Sequence, residues 1–439
     1  MNLTKLIIFL FKNKLYQNIA LADKLQYESA DEIASIQNKK FKKLIEHAKE
    51  NVPYYSNVLD GIQEIEDISK ISFLTKNDVR NNVDNLRATN FDKDRFMADS
   101  TSGSTGDSMP YFRDNQNNYR RAVTYRDDAW SGYEIGAKAL SFWGAERDIL
   151  NNKSLYVKIK DDYIHKLKKL SAYHLSDKDL NEYIKIYNSY KPKVVIAYPS
   201  TLYYIASYIE KNNIKIKYPK GIITSAETLF PFQREQIEKV FKCKIFNRYG
   251  SREFGHIASE CEAHKGLHFH NDRFVLEIIN EKGEACKPNE LGEIVITDLD
   301  EYTFPLIRYK TGDLGKLSDE NCSCGRGLSL LETIEGRVFD LIKGANGNLV
   351  GGTFWTLLRR KVNGFVKFQI IQDESGDVEI VAEKNNLMES DFEETIIKLA
   401  KEKLGDNANV KVSIIDKIPV TKTGKHRWII SKVSPFAKS

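Results

Sequence analysis

Long hydrophobic runs are missing from this sequence. A bilayer-crossing helix needs about 20 consecutive apolar residues. The nearest stretch is Leu6-Ile7-Ile8-Phe9-Leu10-Phe11, held between Lys5 and Lys12. It is shorter than a usual signal-peptide core, and no small-residue cleavage site follows it. We read it as an N-terminal helix packed on the body, with peripheral membrane contact as the minor reading. Cysteine is also scarce. Five cysteines in 439 residues make no disulfide framework, so we expect a cytoplasmic protein. A charge excess is missing too. Lys plus Arg number 66 against 61 Asp plus Glu, a net +5. That small balance, spread along the chain, argues against a dedicated nucleic-acid binder. Internal repeats and low-complexity segments are absent. What remains is a chain with 41% apolar residues, enough for a large core and two or three domains.

Patterning divides the chain. Residues 1–95 read as helical, with Phe41, Leu44, Ile45 and Ala48 at helical spacing and a stop near Val52-Pro53. From 96 to 260, helical spans alternate with short apolar runs. Lys193 to Ala197 ends at Tyr198-Pro199-Ser200, Lys220 to Thr224 at Ser225-Ala226-Glu227, and Cys243 to Phe246 at Asn247-Arg248-Tyr249-Gly250. Buried-type strands separated by helices predict an α/β fold with a mainly parallel sheet. Ligands bind such sheets outside the carboxyl ends of the strands. Residues 261–336 change to short strands with turns, such as Phe274 to Ile279 and Gly292 to Thr297, and predict a small β subdomain. Residues 337–439 read as a separate α+β domain. Val366 to Gln372 and Val378 to Ala382 form a hairpin there. A helix follows, with Ser390 and Glu393 as a capping box and Gly405 at its end. Val410 to Ile415 is a further strand.

Four segments could carry chemistry. Thr101-Ser102-Gly103-Ser104-Thr105-Gly106 combines two glycines with four hydroxyls, flexible backbone N–H groups and side-chain donors that suit phosphate oxygens. No Gly-Lys-Ser/Thr follows, so it is not a Walker A loop. Tyr249-Gly250-Ser251-Arg252-Glu253 follows a strand, and Glu253 could hold Mg²⁺ on phosphates. In Arg308-Tyr309-Lys310-Thr311-Gly312-Asp313, the carboxylate on a tight turn could accept two ribose hydroxyls. Gly424-Lys425 places a lysine on a loop, where it could donate to developing charge.

Taken in this order, and with Gly336-Arg337 between the third and fourth, these segments resemble the adenylate-forming superfamily. That group holds the acyl-CoA synthetases, luciferases and peptide-synthetase adenylation domains. The likeness is to the phenylacetate–CoA ligase branch and its CapK-type capsular-polysaccharide relatives. It is carried by His47-Ala48, Val52-Pro53-Tyr54-Tyr55, Leu74-Thr75-Lys76, and Tyr249 through Gly255 with Glu260-Cys261. It covers the chain from about residue 40 to 430.

The resemblance implies a ligase that activates a carboxylate with Mg·ATP, releases pyrophosphate and passes the acyl group to a thiol, CoA included, or to an amine. It assigns Thr101, Ser102, Gly103, Ser104, Thr105 and Gly106 to the phosphates. Ser225, Ala226, Glu227, Asn247, Arg248, Tyr249, Gly250 and Ser251 border the adenine, with Tyr249 against the ring. Glu253 takes Mg²⁺, Asp313 and Arg337 the ribose, and Lys425 the α-phosphate and carboxylate oxygens. Arg337 would open a mobile C-terminal domain. Arg252 stands near the α-phosphate, where most of the superfamily has Thr or Ser. Phe339 stands where Asp or Lys is usual at the hinge, and Asp107-Ser108 replaces the usual proline or lysine after the phosphate loop. A phenylacetate-type aryl-CoA ligase is an alternative within the class. A degenerate nucleotide-binding scaffold is the alternative outside it.

Three cysteines remain. Cys261-x-x-His264 and Cys322-Ser323-Cys324 offer three thiolates and an imidazole, a closed tetrahedral set for structural Zn²⁺. His268 and His270 are substitutes for the fourth ligand. A zinc-containing nucleic-acid binder has only this cluster behind it.

Overall fold

In the computed structural model of the 439-residue chain, residues 4, 10, 13–101, 109–143, 166–172, 176–337, 342–346, 349–350, 362, 365–384, 391–419 and 428–433 are described. The first elements with both ends among the described residues are two helices, α1 (Asn13–Leu25) and α2 (Ala30–Asn51). Ser29 starts α2 with a full capping box, its hydroxyl accepting from the Glu32 amide while Glu32 reaches back. The pair satisfies donors that the first helical turn leaves orphaned. Phe41, Leu44, Ile45 and Ala48 then bury one face of α2. Beyond residue 52 the predicted helical region thins to 3₁₀ turns and the one-turn α3 (Lys76–Asn81). Pro53 ends the helical register because it carries no amide hydrogen.

A two-stranded ribbon, β1 (Phe96–Ser100) with β2 (Pro110–Asp114), precedes α4 (Asn118–Trp130). Among the described residues the main sheet has eleven strands. Its parallel half is β3 (Ala139–Phe142), β4 (Leu167–Leu170), β5 (Val194–Ala197), β6 (Gly221–Ser225) and β7 (Lys244–Ser251). Helices α5 (Asp177–Tyr190), α6 (Pro199–Lys211) and α7 (Pro231–Phe241) alternate with them. Val194, Val195, Ile222 and Ile245 are fully buried, as expected of strands covered on both faces.

At β8 (Gly255–Glu260) the chain reverses and pairs antiparallel with β7. From there β9 (Leu267–Phe269), β10 (Phe274–Ile279), β11 (Gly292–Asp298), β12 (Tyr309–Leu317) and β13 (Leu330–Arg337) continue the same sheet. The β-rich segment is therefore joined to the parallel half by unbroken hydrogen bonding. Its apolar face closes over α2 in one core holding Phe41, Tyr55, Phe254, Phe274, Ile296 and Tyr309.

After the short pair β14 (Ile342–Lys343) and β15 (Leu349–Val350), a four-stranded sheet forms. It orders β18 (Val410–Ile415), β17 (Val378–Lys384), β16 (Phe365–Gln372) and β19 (Ile429–Ser431). The expected hairpin is β16–β17, and α8 (Phe392–Leu404) packs its apolar face on the sheet. Asp391 rather than Ser390 precedes the helix, with no side-chain cap from Asp391. Ser390 lies outside the described residues.

Arg308 ties distant segments of this frame. Its guanidinium meets Glu277 at 2.9 Å, donates to the carbonyls of Ser69 and Ile71, and lies 4.2 Å from the Phe73 ring centroid. Its own backbone bonds Thr297 and Leu74. Breaking a buried ion pair from one side costs about 3–5 kcal/mol, because the partner charge stays desolvated. Arg308→Met should therefore lower unfolding stability by about 3 kcal/mol in urea titration, with part of the loss recovered in Arg308→Met/Glu277→Leu. An unchanged midpoint in the single variant would contradict this role.

Candidate active site and metal cluster

The carboxyl ends of the parallel strands lie in register. Phe142 pairs with Ala197, Ala197 with Thr224, and Thr224 with Asn247. The chain leaving each strand therefore lines one rim. Trp143 and Tyr198 stand there with ring centroids 4.4 Å apart. Next along the rim is Ser225-Ala226-Glu227, where Ala226 takes a left-handed backbone, φ 69°. Glu227 turns back to accept from the Ser200 amide at 3.1 Å. That amide opens α6, and a carboxylate is favoured at the positive end of a helix.

The segment read as a loop after β7 is different in detail. Tyr249, Gly250 and Ser251 are still strand, and the turn falls at 252–254. A Cβ on Gly250 would meet the Gly255 carbonyl oxygen at 2.3 Å, so the tight reversal requires glycine there. Ser251 accepts from the Phe254 amide. Tyr249 is nine-tenths buried and donates to Asp313 at 2.7 Å. Burial first, and then the facing Asp313 carboxylate, push its phenol well above the ordinary range, so it stays a donor. Asp313 sits on β12, its amide held by Thr311 at 3.1 Å, and it pairs in register with Arg337 of β13.

Glu253 projects into a cavity lined by Tyr111, Phe112, Phe254, Asp298 and Glu301. Its carboxylate accepts one long contact, 3.4 Å, from the Tyr309 hydroxyl. Oxygen donors of this kind suit Mg²⁺, which is usually held by one or two carboxylates plus substrate phosphates. Behind the turn, Arg120 of α4 donates to the carbonyls of Glu253 and Arg252, both at 2.9 Å. Arg252 reaches the other way, to the Ser100 carbonyl at 3.1 Å. That contact joins the 252–254 turn to the base of the Ser/Thr/Gly loop. Thr101 closes that base, its hydroxyl oxygen and amide both bonding Met109. Ser102, Gly103, Ser104, Thr105 and Gly106 lie outside the described residues, as do Asp107, Ser108, Phe339, Gly424 and Lys425.

Two of the expected adenine-bordering residues have partners within the fold. Arg248 points back to α4 and pairs with Asp128 at 3.0 Å, both side chains about one-tenth exposed. Asn247 is fixed by Thr224 at 3.2 Å and, through its amide, by Glu260 at 2.7 Å. The sequence offered no reason to pick Arg120 or Trp143. Arg120 looks like part of a solvated charged helix, and only the turn above it shows its use.

The cysteine cluster assembles with one substitution. Cys261, Cys322, Cys324 and His268, not His264, bring their ligand atoms within 4.8 Å of one another. The Cys261 and Cys322 sulfurs are 3.7 Å apart and Cys324 is 3.2 Å from His268 Nε2. Tetrahedral zinc with bonds of about 2.3 Å sets two sulfurs about 3.8 Å apart, so the spacing fits. His268 Nδ1 lies 3.0 Å from the Leu328 carbonyl. A carbonyl only accepts, so the proton belongs on Nδ1 and the lone pair of Nε2 faces the cluster. His264 occupies a left-handed turn, φ 52°, and meets Glu260 at 3.2 Å. His270 is taken by Asp127 at 2.9 Å.

Residues 342–432 match the family model of the CapK C-terminal domain. The chain is 28% identical to Protein CapK of Staphylococcus aureus, over 92% of this chain and 90% of that one. It is 25% identical to a phenylacetate-coenzyme A ligase of Thermus thermophilus, over 72% and 73%. Along most of its length the chain is thus similar to CapK and to the phenylacetate–CoA ligases. The fold agrees. The structure of 2-hydroxyisobutyryl-CoA ligase in its postadenylation state superposes with a TM-score of 0.73 at 16% identity, covering 94% of this chain and 92% of that one. The same ligase in its thioesterification state gives 0.57 at 17% identity, with 94% and 92% covered.

The Cys/His cluster makes a sharp expectation. His268→Ala and Cys322→Ser should each lose bound zinc in elemental analysis and lower the melting temperature, whereas His264→Ala should keep one zinc per chain. Loss of metal from His264→Ala with retention in His268→Ala would reverse the assignment.

Proposed function

We propose that the chain activates a carboxylate with ATP and transfers the acyl group to a thiol or an amine. The class is an AMP-forming ligase. The observation that carries this reading is the hydrogen bond from Tyr249 on β7 to Asp313 on β12. It draws together two segments 64 residues apart in sequence, beside the rim where Ser225 to Glu227 end β6. A nucleotide seated at that rim would meet the buried Tyr249 ring, the Asp313 carboxylate as acceptor for ribose hydroxyls, and the turn carrying Glu253.

In the first half-reaction a carboxylate oxygen attacks the α-phosphorus and pyrophosphate leaves. Little covalent work falls to the protein in phosphoryl chemistry, so positioning and charge stabilisation dominate. Mg²⁺ held through Glu253 would neutralise phosphate charge. Arg252, tethered to the Ser100 carbonyl, brings a cation beside the base of the Thr101–Gly106 loop, to which we assign the phosphates. We assign Lys425 to the α-phosphate and carboxylate oxygens, where negative charge builds during attack. Trp143 and Tyr198 would form one wall of the carboxylate pocket. Zn²⁺ at Cys261, His268, Cys322 and Cys324 would be structural, because four protein ligands leave no open position. The CapK-type resemblance favours surface-polysaccharide assembly as the setting.

A panel of carboxylates screened for ATP-dependent pyrophosphate release, each with CoA or amines present, tests the reading and names substrate and acceptor together. Carboxylate-dependent release supports it. ATP binding with no release across a broad panel would favour a nucleotide-binding scaffold. Lys425→Ala should slow pyrophosphate exchange by roughly 10²–10³-fold while still transferring the acyl group from supplied acyl-adenylate. Glu253→Ala should lose Mg²⁺-dependent ATP use with its melting temperature intact, and normal adenylation in that variant would place the metal elsewhere.

A further inference from the structure

The amino ends of the parallel strands face away from the rim, and lysine collects there. The connections entering β3, β5, β6 and β7 are residues 131–138, 191–193, 212–220 and 242–243. Together they hold seven lysines and one acidic residue, Glu134. On the rim side, Tyr198 and residues 226–230 hold no lysine. Scattered in sequence, these charges gather in space. Lys220, Lys193, Lys138 and Lys166 stand side by side just before β6, β5, β3 and β4. The Lys220 amide donates to the Lys193 carbonyl and the Lys193 amide to the Lys138 carbonyl, both at 2.7 Å. The Ala139 amide donates to the Lys166 carbonyl at 2.9 Å. Paired strands lie about 4.8 Å apart, so the row is about 15 Å long.

The fold pins the backbone of this face and leaves its charge in water. Near the end of α5, the Tyr190 hydroxyl donates to the Lys166 carbonyl at 2.6 Å and the Tyr187 hydroxyl to the Lys217 carbonyl at 2.7 Å. The Asn188 side chain donates to the Lys215 carbonyl at 3.0 Å. Buried Pro192 and Pro219 stiffen Lys191-Pro192-Lys193 and Tyr218-Pro219-Lys220. Lys138, Lys191, Lys215, Lys217, Lys220 and Lys242 are exposed. Lys193 pairs with Glu134 at 2.8 Å, and among the described residues no ion pair reaches those six. Part of this charge complements helix ends, since α4, α5, α6 and α7 all finish here. A helix carries about half a negative charge at its C-terminus, so four ends and Glu134 offset about three of the eight lysines, Lys166 included, and leave about five. Like charges on neighbouring strands destabilise a sheet. Without a partner the row is a cost.

We propose that this face docks the protein on an anionic lipid bilayer. Clusters of about four to eight cationic side chains are drawn to anionic headgroups, each lysine near the surface strengthening binding roughly 5-fold. The connections carry lysine and no arginine. They offer mobile point charges that suit diffuse headgroup charge, without the rigid forks that read nucleic-acid phosphates and bases. Tyr218 lies among them, 61% exposed, between Lys217 and Lys220. An aromatic ring with a polar tip is the side chain favoured at headgroup depth. The strands between this face and the rim are four or five residues in β3, β5 and β6, about 15 Å of chain. Docking on this face therefore leaves the rim open to solutes. The proposal is independent of the ligase reading.

Co-sedimentation of the full-length protein with vesicles tests it, and no catalytic activity is needed. The probes are phosphatidylcholine vesicles with about 30% phosphatidylglycerol and vesicles of phosphatidylcholine alone. The protein should sediment with the anionic vesicles only, and raising NaCl from about 0.05 to 0.5 M should weaken binding at least 10-fold. Lys215→Gln/Lys217→Gln/Lys220→Gln should weaken it at least 10-fold, and Lys191→Gln/Lys242→Gln should act in the same direction, both with melting temperatures unchanged. Lys398→Gln/Lys401→Gln/Lys403→Gln removes the same charge from α8 and should bind as wild type does. Tyr218→Trp adds an emission that should move to shorter wavelength on anionic vesicles. Equal binding to phosphatidylcholine alone, insensitivity to salt, or equal losses from the α8 variant would overturn the proposal. So would binding to a duplex or single-stranded oligonucleotide, lost in the Lys215/Lys217/Lys220 variant, with no binding to either vesicle.

Discussion

The guanidinium of Arg120 fixes the turn on which the proposed chemistry depends. It rises from α4 and donates to two successive carbonyls, those of Arg252 and Glu253. Burial, with Arg273 and Arg113 nearby, lowers its pKa to about 10, so it remains charged at neutral pH. The turn has no freedom to lift away from it. Gly255 has φ 74°, and a Cβ there would meet Arg120 Nε at 2.8 Å. Glycine is thus required twice at one position, by the backbone and by the close approach. The helix beneath is itself pinned by buried charges. Arg126 meets Asp272 at 2.8 Å, Asp127 meets His270 at 2.9 Å, and Asp128 meets Arg248 at 3.0 Å. Each pair is expensive to desolvate and more expensive to break from one side. Their shared effect is to set the register of α4 against β7, β8 and the 270–273 turn, and so to aim Arg120.

The sheet supplies the second constraint. Its parallel half delivers chain ends to one rim, and the reversal at β7–β8 brings the antiparallel half alongside. Without that reversal β12 would not lie where Asp313 can receive the Tyr249 hydroxyl. Tyr249 is held by packing and Asp313 by the Thr311 hydroxyl, which also donates to the Ile294 carbonyl at 2.8 Å. The two side chains that would receive a nucleoside are therefore set in place before any ligand arrives, the condition under which electrostatic preorganisation is effective.

Much of this frame was legible in the amino-acid order. Runs such as Val194 to Ala197 and Gly221 to Ser225 announce buried strands by length and β-branching. The Gly-bearing turn between β16 and β17 announces a hairpin. What sequence alone could not reveal falls into two kinds. Short or polar strands carry little signal, as in β4, where Lys168 and Lys169 interrupt the apolar pattern. Charged residues with tertiary partners look solvated. Arg126, Asp127 and Asp128 are buried within α4, although their spacing suggests an exposed face. The Cys/His cluster shows the same limit. Cys261-x-x-His264 has the look of a ligand pair, yet the turn gives His264 to Glu260. The fourth position goes to His268, fully buried on β9. Its neighbours Leu267 and Phe269 pack into the main core, and that strand alternation was the available clue.

The central claim is that a carboxylate oxygen becomes bonded to the α-phosphorus of ATP at this rim. With whichever carboxylate supports turnover, both carboxylate oxygens can be labelled with ¹⁸O and the AMP formed after acyl transfer examined by ³¹P NMR or mass spectrometry. Attack at the α-phosphorus leaves one ¹⁸O in the phosphate of AMP, because the bridging oxygen stays with phosphorus when the acyl group departs. That is the result expected here. Unlabelled AMP, or ADP with the label in inorganic phosphate, would show that activation follows another route.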